Sequence, residues 1–284
     1  MSKKQSLLEI HSAVLLFGLA GLFGKWLPLS PFIIVLGRVF FASLTLFLVL
    51  RFSKLSLKVS PGKNLVLLFF LGLTLAVHWV TFFRSVQVST VAVALLSYSS
   101  FPVFTAFLEP LFFKERIKAQ SVLAALLCLF GVFLIIPRFD LNNAVYQGVL
   151  WGLLSGFTFS VLSIFNRRLS QQFSSLLIAF YQDFSATLIL FPFLFLVPYR
   201  LDVQDILLLL ILGVFCTAGS HTLFITGLRH IKAQTAAVLS TLEPVYGIIM
   251  AYFFLREIPS VRTLLGGVII LGTVLLVTLR GVKT

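Results

Sequence analysis

Charge is what this sequence has least of. Of its 284 residues only 11% are Asp, Glu, Lys or Arg, where a soluble globular domain carries roughly 25%. Acidic residues are scarcer still, 9 against 22 basic ones. Cysteine is limited to Cys128 and Cys216, both inside apolar runs. A free thiol there behaves as a small hydrophobe, so neither a disulfide framework nor a metal centre is expected. No GxxxxGKS or GxxxxGKT loop occurs, which disfavours an ATP-driven pump. No HExxH motif, no metal-spaced Cys/His cluster and no hydrolase-like serine setting is present. The expectation is a chain that is not an enzyme and uses no cofactor.

What is abundant is apolar surface. Hydrophobic residues make up 59% of the chain and the mean hydropathy is +1.08. Apolar runs repeatedly approach the ~20 residues that cross a ~30 Å hydrocarbon core. They do not alternate, and backbone polar groups in lipid must be satisfied within the segment, so helices are expected rather than barrel strands. The fold class read from this is an all-α integral membrane protein of ten transmembrane helices. The spans are 10–27, 32–50, 64–83, 88–112, 119–136, 146–165, 174–197, 205–227, 233–254 and 261–279. Ten spans exceed the plan of a seven-helix receptor. Lys3 and Lys4 precede the first apolar run as in a signal peptide, but Glu9 interrupts that region and no small-x-small cleavage site ends it, so an uncleaved span is expected.

A net charge of +13 in a soluble protein would point to nucleic acid. Here its distribution points elsewhere. With a cytoplasmic N-terminus, the inner segments hold fifteen Lys and Arg, among them Lys3, Lys4, Arg51, Lys114, Arg167 and Arg229; the outer ones hold Lys25, Arg84, Arg138, Arg200, Arg256 and Arg262. That asymmetry is the positive-inside rule, with both termini in the cytoplasm. The partners expected are the bilayer, a small-molecule substrate and protons, with no nucleic acid and a monomer or homodimer as the assembly.

The stretch FPVFTAFLEPLFFKE recurs in outline as LEPVYGIIMAYFFLRE. At one constant shift Pro102 lies over Pro244 and Glu115 over Glu257, and His78 falls within one residue of His221. The halves are then 1–140 and 141–284, of five spans each. Five is odd, so the second half enters the membrane from the opposite side, giving a 5+5 inverted-topology repeat of the kind secondary transporters use.

With Arg38 in PFIIVLGRVFFAS, HWVTFF at 78–83 and the two Pro–Glu blocks, the chain resembles the EamA-type transporters of the drug/metabolite transporter superfamily over essentially its whole length. The resemblance implies ten-helix carriers with 5+5 inverted repeats, moving amino acids, other metabolites or drugs, often outward, across a bacterial cytoplasmic membrane. It implies a cavity between spans 1–4 and 6–9, with spans 5 and 10 as supports, and makes the terminal Glu of FFKE and FLRE a family hallmark.

A charge at the bilayer centre costs at least ~2.5–3.5 kcal/mol on insertion scales, so each one needs a reason. At a rise of about 1.5 Å per residue, Asp183 and Glu243 fall near the midplane, Arg38 in the outer half of span 2, His78 in the outer third of span 3 and His221 in the inner half of span 8. Glu243 is the foremost candidate, as a proton or amine acceptor or as a structural partner of Arg38. Arg38 and Asp183, on the repeat-equivalent spans 2 and 7, form a candidate buried pair. Pro102 and Pro244 each free a carbonyl four residues earlier, at Tyr98 and Ser240, which can line a cavity or simply kink a packed helix; Tyr98 and Tyr246 join the candidates. His78, Trp79 and Phe82 form a candidate pocket wall. For His221 packing is the competing role, and for Trp151 a lipid-facing one. Gly148, Gly152 and Gly156 give a smooth face for a neighbouring helix, with Gly18, Gly21 and Gly24 as their counterpart. The function expected is a secondary-active exporter of small, amino-acid-like metabolites or amphipathic drugs, working by alternating access with proton coupling. An uncoupled carrier is the alternative, ahead of a membrane enzyme or a sensor.

Overall fold

The computed structural model describes residues 3–59, 62–113, 119–231, 236, 239–240 and 242–281. Every regular element among them is helical. In chain order these are α1 (Lys3–Ala20), α2 (Phe23–Trp26), α3 (Pro31–Phe52), α4 (Lys63–Val88), α5 (Val91–Tyr98), α6 (Phe101–Phe113), α7 (Ala119–Ile135), α8 (Ala144–Leu169), α9 (Ser175–Leu190), α10 (Phe193–Leu196) and α11 (Val203–Gly213). A π-helical segment, Val214–Gly219, joins α11 to α12 (Ser220–Gly227); α13 (Leu242–Leu255) and α14 (Val261–Gly281) follow.

Among the described residues seven stretches are helical, long and apolar enough to cross a membrane: Gln5–Trp26, Pro31–Phe52, Lys63–Val88, Val91–Phe112, Ala144–Leu169, Ser175–Leu196 and Val203–Gly227. Three shorter apolar helices, Ala125–Ile135, Leu242–Leu255 and Val261–Thr273, overlap the segments 119–136, 233–254 and 261–279 read from the sequence. Most residues leading into α13 lie outside the described residues, as does Glu115. The chain is thus a multi-pass helical membrane protein. Polar residues mark several entries into apolar helix. The side chains of Ser30, Thr90, Asn143 and Ser174 each accept a backbone N–H of the first turn that follows, and Asp202 with Asp205 closes a reciprocal capping box on α11. Each satisfies an orphan backbone donor of the helix's first turn.

Two spans depart from simple rods. The fourth breaks at Ser99–Ser100, between α5 and α6, where Pro102 cannot donate to the Tyr98 carbonyl. The Ser97, Ser99 and Ser100 hydroxyls donate back to carbonyls three or four residues earlier, which shields those oxygens at the break. The stretch Val203–Gly227 changes register through its π-helical segment, Val214–Gly219. There the Thr217 hydroxyl donates to the Leu212 carbonyl at 2.7 Å and Ser220 Oγ to the Cys216 carbonyl, also at 2.7 Å.

Packing pairs the helices in a regular way. α8 lies against α4 and α5, and α1 lies against α12 and α13; α3 packs on α9, and α7 on α14. α4 also meets α9, while α3 meets α11 and the π-helical segment. The glycine stripe of α8 serves as expected. A β-carbon at Gly148 or Gly152 would collide with Ser89 or Ser97 of the α4–α5 region, and one at Gly156 would lie 2.8 Å from the Tyr98 carbonyl. On α1, a β-carbon at Gly18 would sit 3.0 Å from the Glu243 carbonyl.

Candidate functional site

A small cavity of about 30 Å³ lies at the centre of the bundle, room for about two waters. α1 contributes Phe17 and Ala20, α3 Arg38, and α4 Leu75, His78, Trp79 and Phe82. Tyr98 comes from α5, and Phe159, Leu162 and Asn166 from α8. His221 and Phe224 of α12 and Glu243 of α13 complete the wall. An apolar, largely aromatic wall with a few convergent polar groups is the usual make-up of a ligand site.

Arg38 is 1% exposed. Its guanidinium rests on the Trp79 ring, 3.7 Å from the centroid, with Phe83 at 5.4 Å. Nε donates to Thr217 Oγ1 at 3.0 Å and Nη2 to the Cys216 carbonyl at 3.3 Å. The π-helical segment has a local role here: by breaking regular register it turns one hydroxyl and one carbonyl of span 8 towards a cation on span 2. π-bulges of this kind recur at functional sites. Arg38 interacts electrostatically with both Asp183 and Glu243, yet neither forms an ion-pair contact with it; among the described residues the close pair is Arg167–Glu109 at 2.7 Å. The direct Arg38–Asp183 pair considered from sequence is therefore replaced by hydrogen bonds to span 8 and a ring face. Both Asp183 oxygens are buried without a hydrogen-bond partner among the described residues.

Glu243 is 4% exposed. Tyr98 stands beside it and interacts with it electrostatically, and its Oε2 is buried and unpartnered among the described residues. His78 Nδ1 lies 2.9 Å from both the carbonyl and the hydroxyl of Ser155, while its ring faces Phe159 at 5.1 Å and Tyr98 at 5.7 Å. His221 sets its ring edge to Trp79 at 6.0 Å and keeps Nδ1 buried, with no partner among the described residues. Counting depth along straight spans separates the two histidines into opposite leaflets. The folded chain instead gathers both around Trp79, because a ruler of rise per residue ignores tilt and the π-helical shift.

Seven of the ten candidate residues thus line one cavity: Arg38, His78, Trp79, Phe82, Tyr98, His221 and Glu243. Three do not. Asp183 is fully buried beside it and coupled to Arg38. Tyr246 points its hydroxyl at His11 Nε2, 3.0 Å away, tying α13 to α1. Trp151 is 37% exposed on the outer side of α8, the lipid-facing alternative. Phe17, Phe159 and Phe224 are cavity residues that sequence reasoning misses, because nothing distinguishes them among 32 phenylalanines. Asn166 carries a usable signal, a lone amide near the end of an apolar span.

At the bundle's rim, Glu257 Oε2 accepts the backbone N–H of Val91, the first residue of α5, at 2.9 Å. Lys25 stands nearby with Nζ on the Ser89 carbonyl at 2.8 Å. Partial burial raises the Glu257 carboxyl above its ordinary range, against the opposing pull of the Val91 N–H and Lys25. Glu257 is thus a cap on the start of α5.

A bundle of apolar helices around a mixed polar and aromatic cavity suits a membrane transporter. The model of the EamA-like transporter family matches residues 6–136 and again 146–279, and the chain belongs to that family. An uncharacterized transporter of Archaeoglobus fulgidus is 29% identical over 197 residues, 69% of this chain and 70% of the relative. The uncharacterized transporter YxxF of Bacillus subtilis is 22% identical over 98% of this chain and 91% of its own. The pseudopaline exporter CntI of Pseudomonas aeruginosa is 27% identical over 84% and 82%. A crystal structure 18% identical in sequence superposes over the full length of both chains with a TM-score of 0.71, which speaks for the shared fold.

Proposed function

We propose that this transporter is a secondary-active exporter of a small, amino-acid-like or amphipathic metabolite, built as two inverted five-helix halves, 1–140 and 141–284, that alternate access to the central cavity. The observation that carries the reading is the convergence of Arg38, His78, Trp79 and Tyr98 from the first half with His221 and Glu243 from the second on one cavity. A cation and a carboxylate on the same cavity, without a direct ion pair between them, suit a ligand bearing both signs. At about 30 Å³ the cavity is too small for such a ligand, so in this reading the halves part to admit it.

The packing pattern supports the inverted repeat. Exchanging the first half's helices for their counterparts turns the α4–α8 and α5–α8 contacts into α1–α12 and α1–α13, and leaves α3–α9 and α7–α14 unchanged. Gly72 and Gly213 match in detail: β-carbons there would lie 2.9 Å from the Gln182 carbonyl and 2.8 Å from that of Arg38. An exporter among the relatives favours outward transport, and the basic residues favour cytoplasmic termini in a bacterial inner membrane. Protons are the coupling ion in this reading, with Glu243 and Asp183 as the groups that exchange them.

The test is efflux from proteoliposomes loaded with labelled amino acids, sugars and cationic drugs, with and without an imposed pH gradient. Gradient-stimulated efflux of a zwitterionic compound is expected. Flux indifferent to the gradient removes proton coupling, and no flux from protein that melts cooperatively removes the transporter mechanism proposed.

A further inference from the structure

The cavity holds one neutral polar group whose setting has no structural economy. Asn166 lines the cavity at 2% exposure. Its Oδ1 accepts from Gln182 Nε2 at 2.5 Å. Gln182 is itself wholly buried, and its own Oε1 finds no partner among the described residues. Burying an amide for a single hydrogen bond, with one oxygen left orphaned, is less favourable than filling the same space with leucine or methionine. Gln182 therefore needs a reason beyond packing, and the group its side chain holds is the Asn166 amide. With Asn166 Oδ1 engaged, the NH2 of that amide is what remains to offer to the cavity. The next residue, Arg167, is fastened to Glu109 at 2.7 Å, which fixes this end of α8.

The backbone positions strengthen the point. Gln182 and Arg38 present their carbonyls to Gly72 and Gly213 in matching fashion. From equivalent places on α3 and α9, one half sends a guanidinium to the cavity and the other sends an amide that orients Asn166.

We infer that Asn166, held by the positioning residue Gln182, is the specificity-determining hydrogen-bond donor of the cavity and selects substrates whose body carries an uncharged acceptor, a hydroxyl or amide oxygen, over isosteres that lack it. This rests on the cavity being the substrate site. A site built to bond such a group leaves its own buried donor unpaired when the analogue binds, which is where discrimination arises.

The experiment uses the full-length protein in liposomes and three matched pairs, threonine and valine, glutamine and methionine, tyrosine and phenylalanine, each loaded together with distinguishable labels. Wild type is expected to export the polar member of at least one pair roughly tenfold faster, the worth of one neutral hydrogen bond. Asn166→Leu brings that ratio close to one, chiefly by raising KM for the polar member, and Gln182→Met brings it part of the way. Because both compounds share the same vesicles, the ratio is insensitive to how much protein folds; Asn166→Ala takes the place of Asn166→Leu if the latter does not reconstitute. No preference in wild type, or a preference untouched by substitution at 166, overturns the inference while leaving the transporter reading intact. Absence of flux for all six compounds in wild type overturns the substrate reading beneath it instead.

Discussion

Two stretches of this chain carry nearly the same line, around Pro102 and around Pro244, and the structure gives them different work. In the first, Phe101 is wholly buried, stacked on Tyr98 at 5.2 Å and edge-on to Phe159 at 4.9 Å. In the second, the residue at the matching place is Glu243, which faces the cavity beside the same Tyr98. The close glycine contacts beside both stretches, Gly156 at the Tyr98 carbonyl and Gly18 at the Glu243 carbonyl, belong to helix packing. What differs between the two stretches is the chemistry they carry.

The comparison breaks first at its unrepeated residue. Glu243→Gln keeps the shape and removes the titratable acid that faces the cavity. A hydrogen bond involving a charged group is worth about 1.5–3 kcal/mol, so export of the native substrate is expected to fall roughly 10- to 100-fold, with the melting temperature in detergent little changed. Unchanged efflux in proteoliposomes would make Glu243 as structural as Phe101. The glycine contacts come next. Gly152→Ala drives a methyl into Ser97, whose β-carbon lies only 2.9 Å from the position the new methyl must take; overpacking of this sort costs about 1–3 kcal/mol. Gly18→Ala, with 3.0 Å to the Glu243 carbonyl, is the milder lesion. The two melting temperatures should fall in that order, and the reverse order would mean that the halves do not share the packing device described.

The sequence makes much of this legible and conceals the rest for identifiable reasons. Spans, breaks and caps are readable because lipid leaves so few ways to satisfy a backbone: Pro102 marks the α5–α6 break, and Ser30, Asn143 and Ser174 mark helix starts. Buried polar residues are readable as a set, since each is costly in hydrocarbon. Their partners are not. Arg38 meets Thr217 and the Cys216 carbonyl through a π-helical turn that no periodicity announces. His78 and His221 meet at Trp79 although depth counting parts them. Asn166 escapes notice because an amide in an apolar run looks like a minor polar residue until Gln182 is seen to hold it.

Two smaller effects sharpen the contrast. Phe101→Leu removes the aromatic contacts with Tyr98 and Phe159, each worth about 0.5–1.5 kcal/mol beyond burial. It should lower the melting temperature by several degrees while efflux stays within a few-fold of wild type, the mirror image of Glu243→Gln. A large loss of efflux with full stability would instead give Phe101 a functional role.

The smallest expected effect is at Glu257, the scaffold carboxylate at the rim. Burial raises its carboxyl in the folded state, so the protonated form is the one folding favours. Its contribution to stability is full below the ordinary carboxylate range and is lost as pH rises through the elevated value. The group is half exposed, so water screens much of this. Between pH 4 and pH 7 the wild-type melting temperature should therefore carry a downward component of about a degree that Glu257→Gln lacks, because the glutamine oxygen can still accept from Val91 without titrating. An opposite sign, wild type gaining on Glu257→Gln as pH rises, would mean that attraction to Lys25 and the Val91 N–H outweighs burial, and that the hallmark Glu acts at the rim as a charge rather than as a cap.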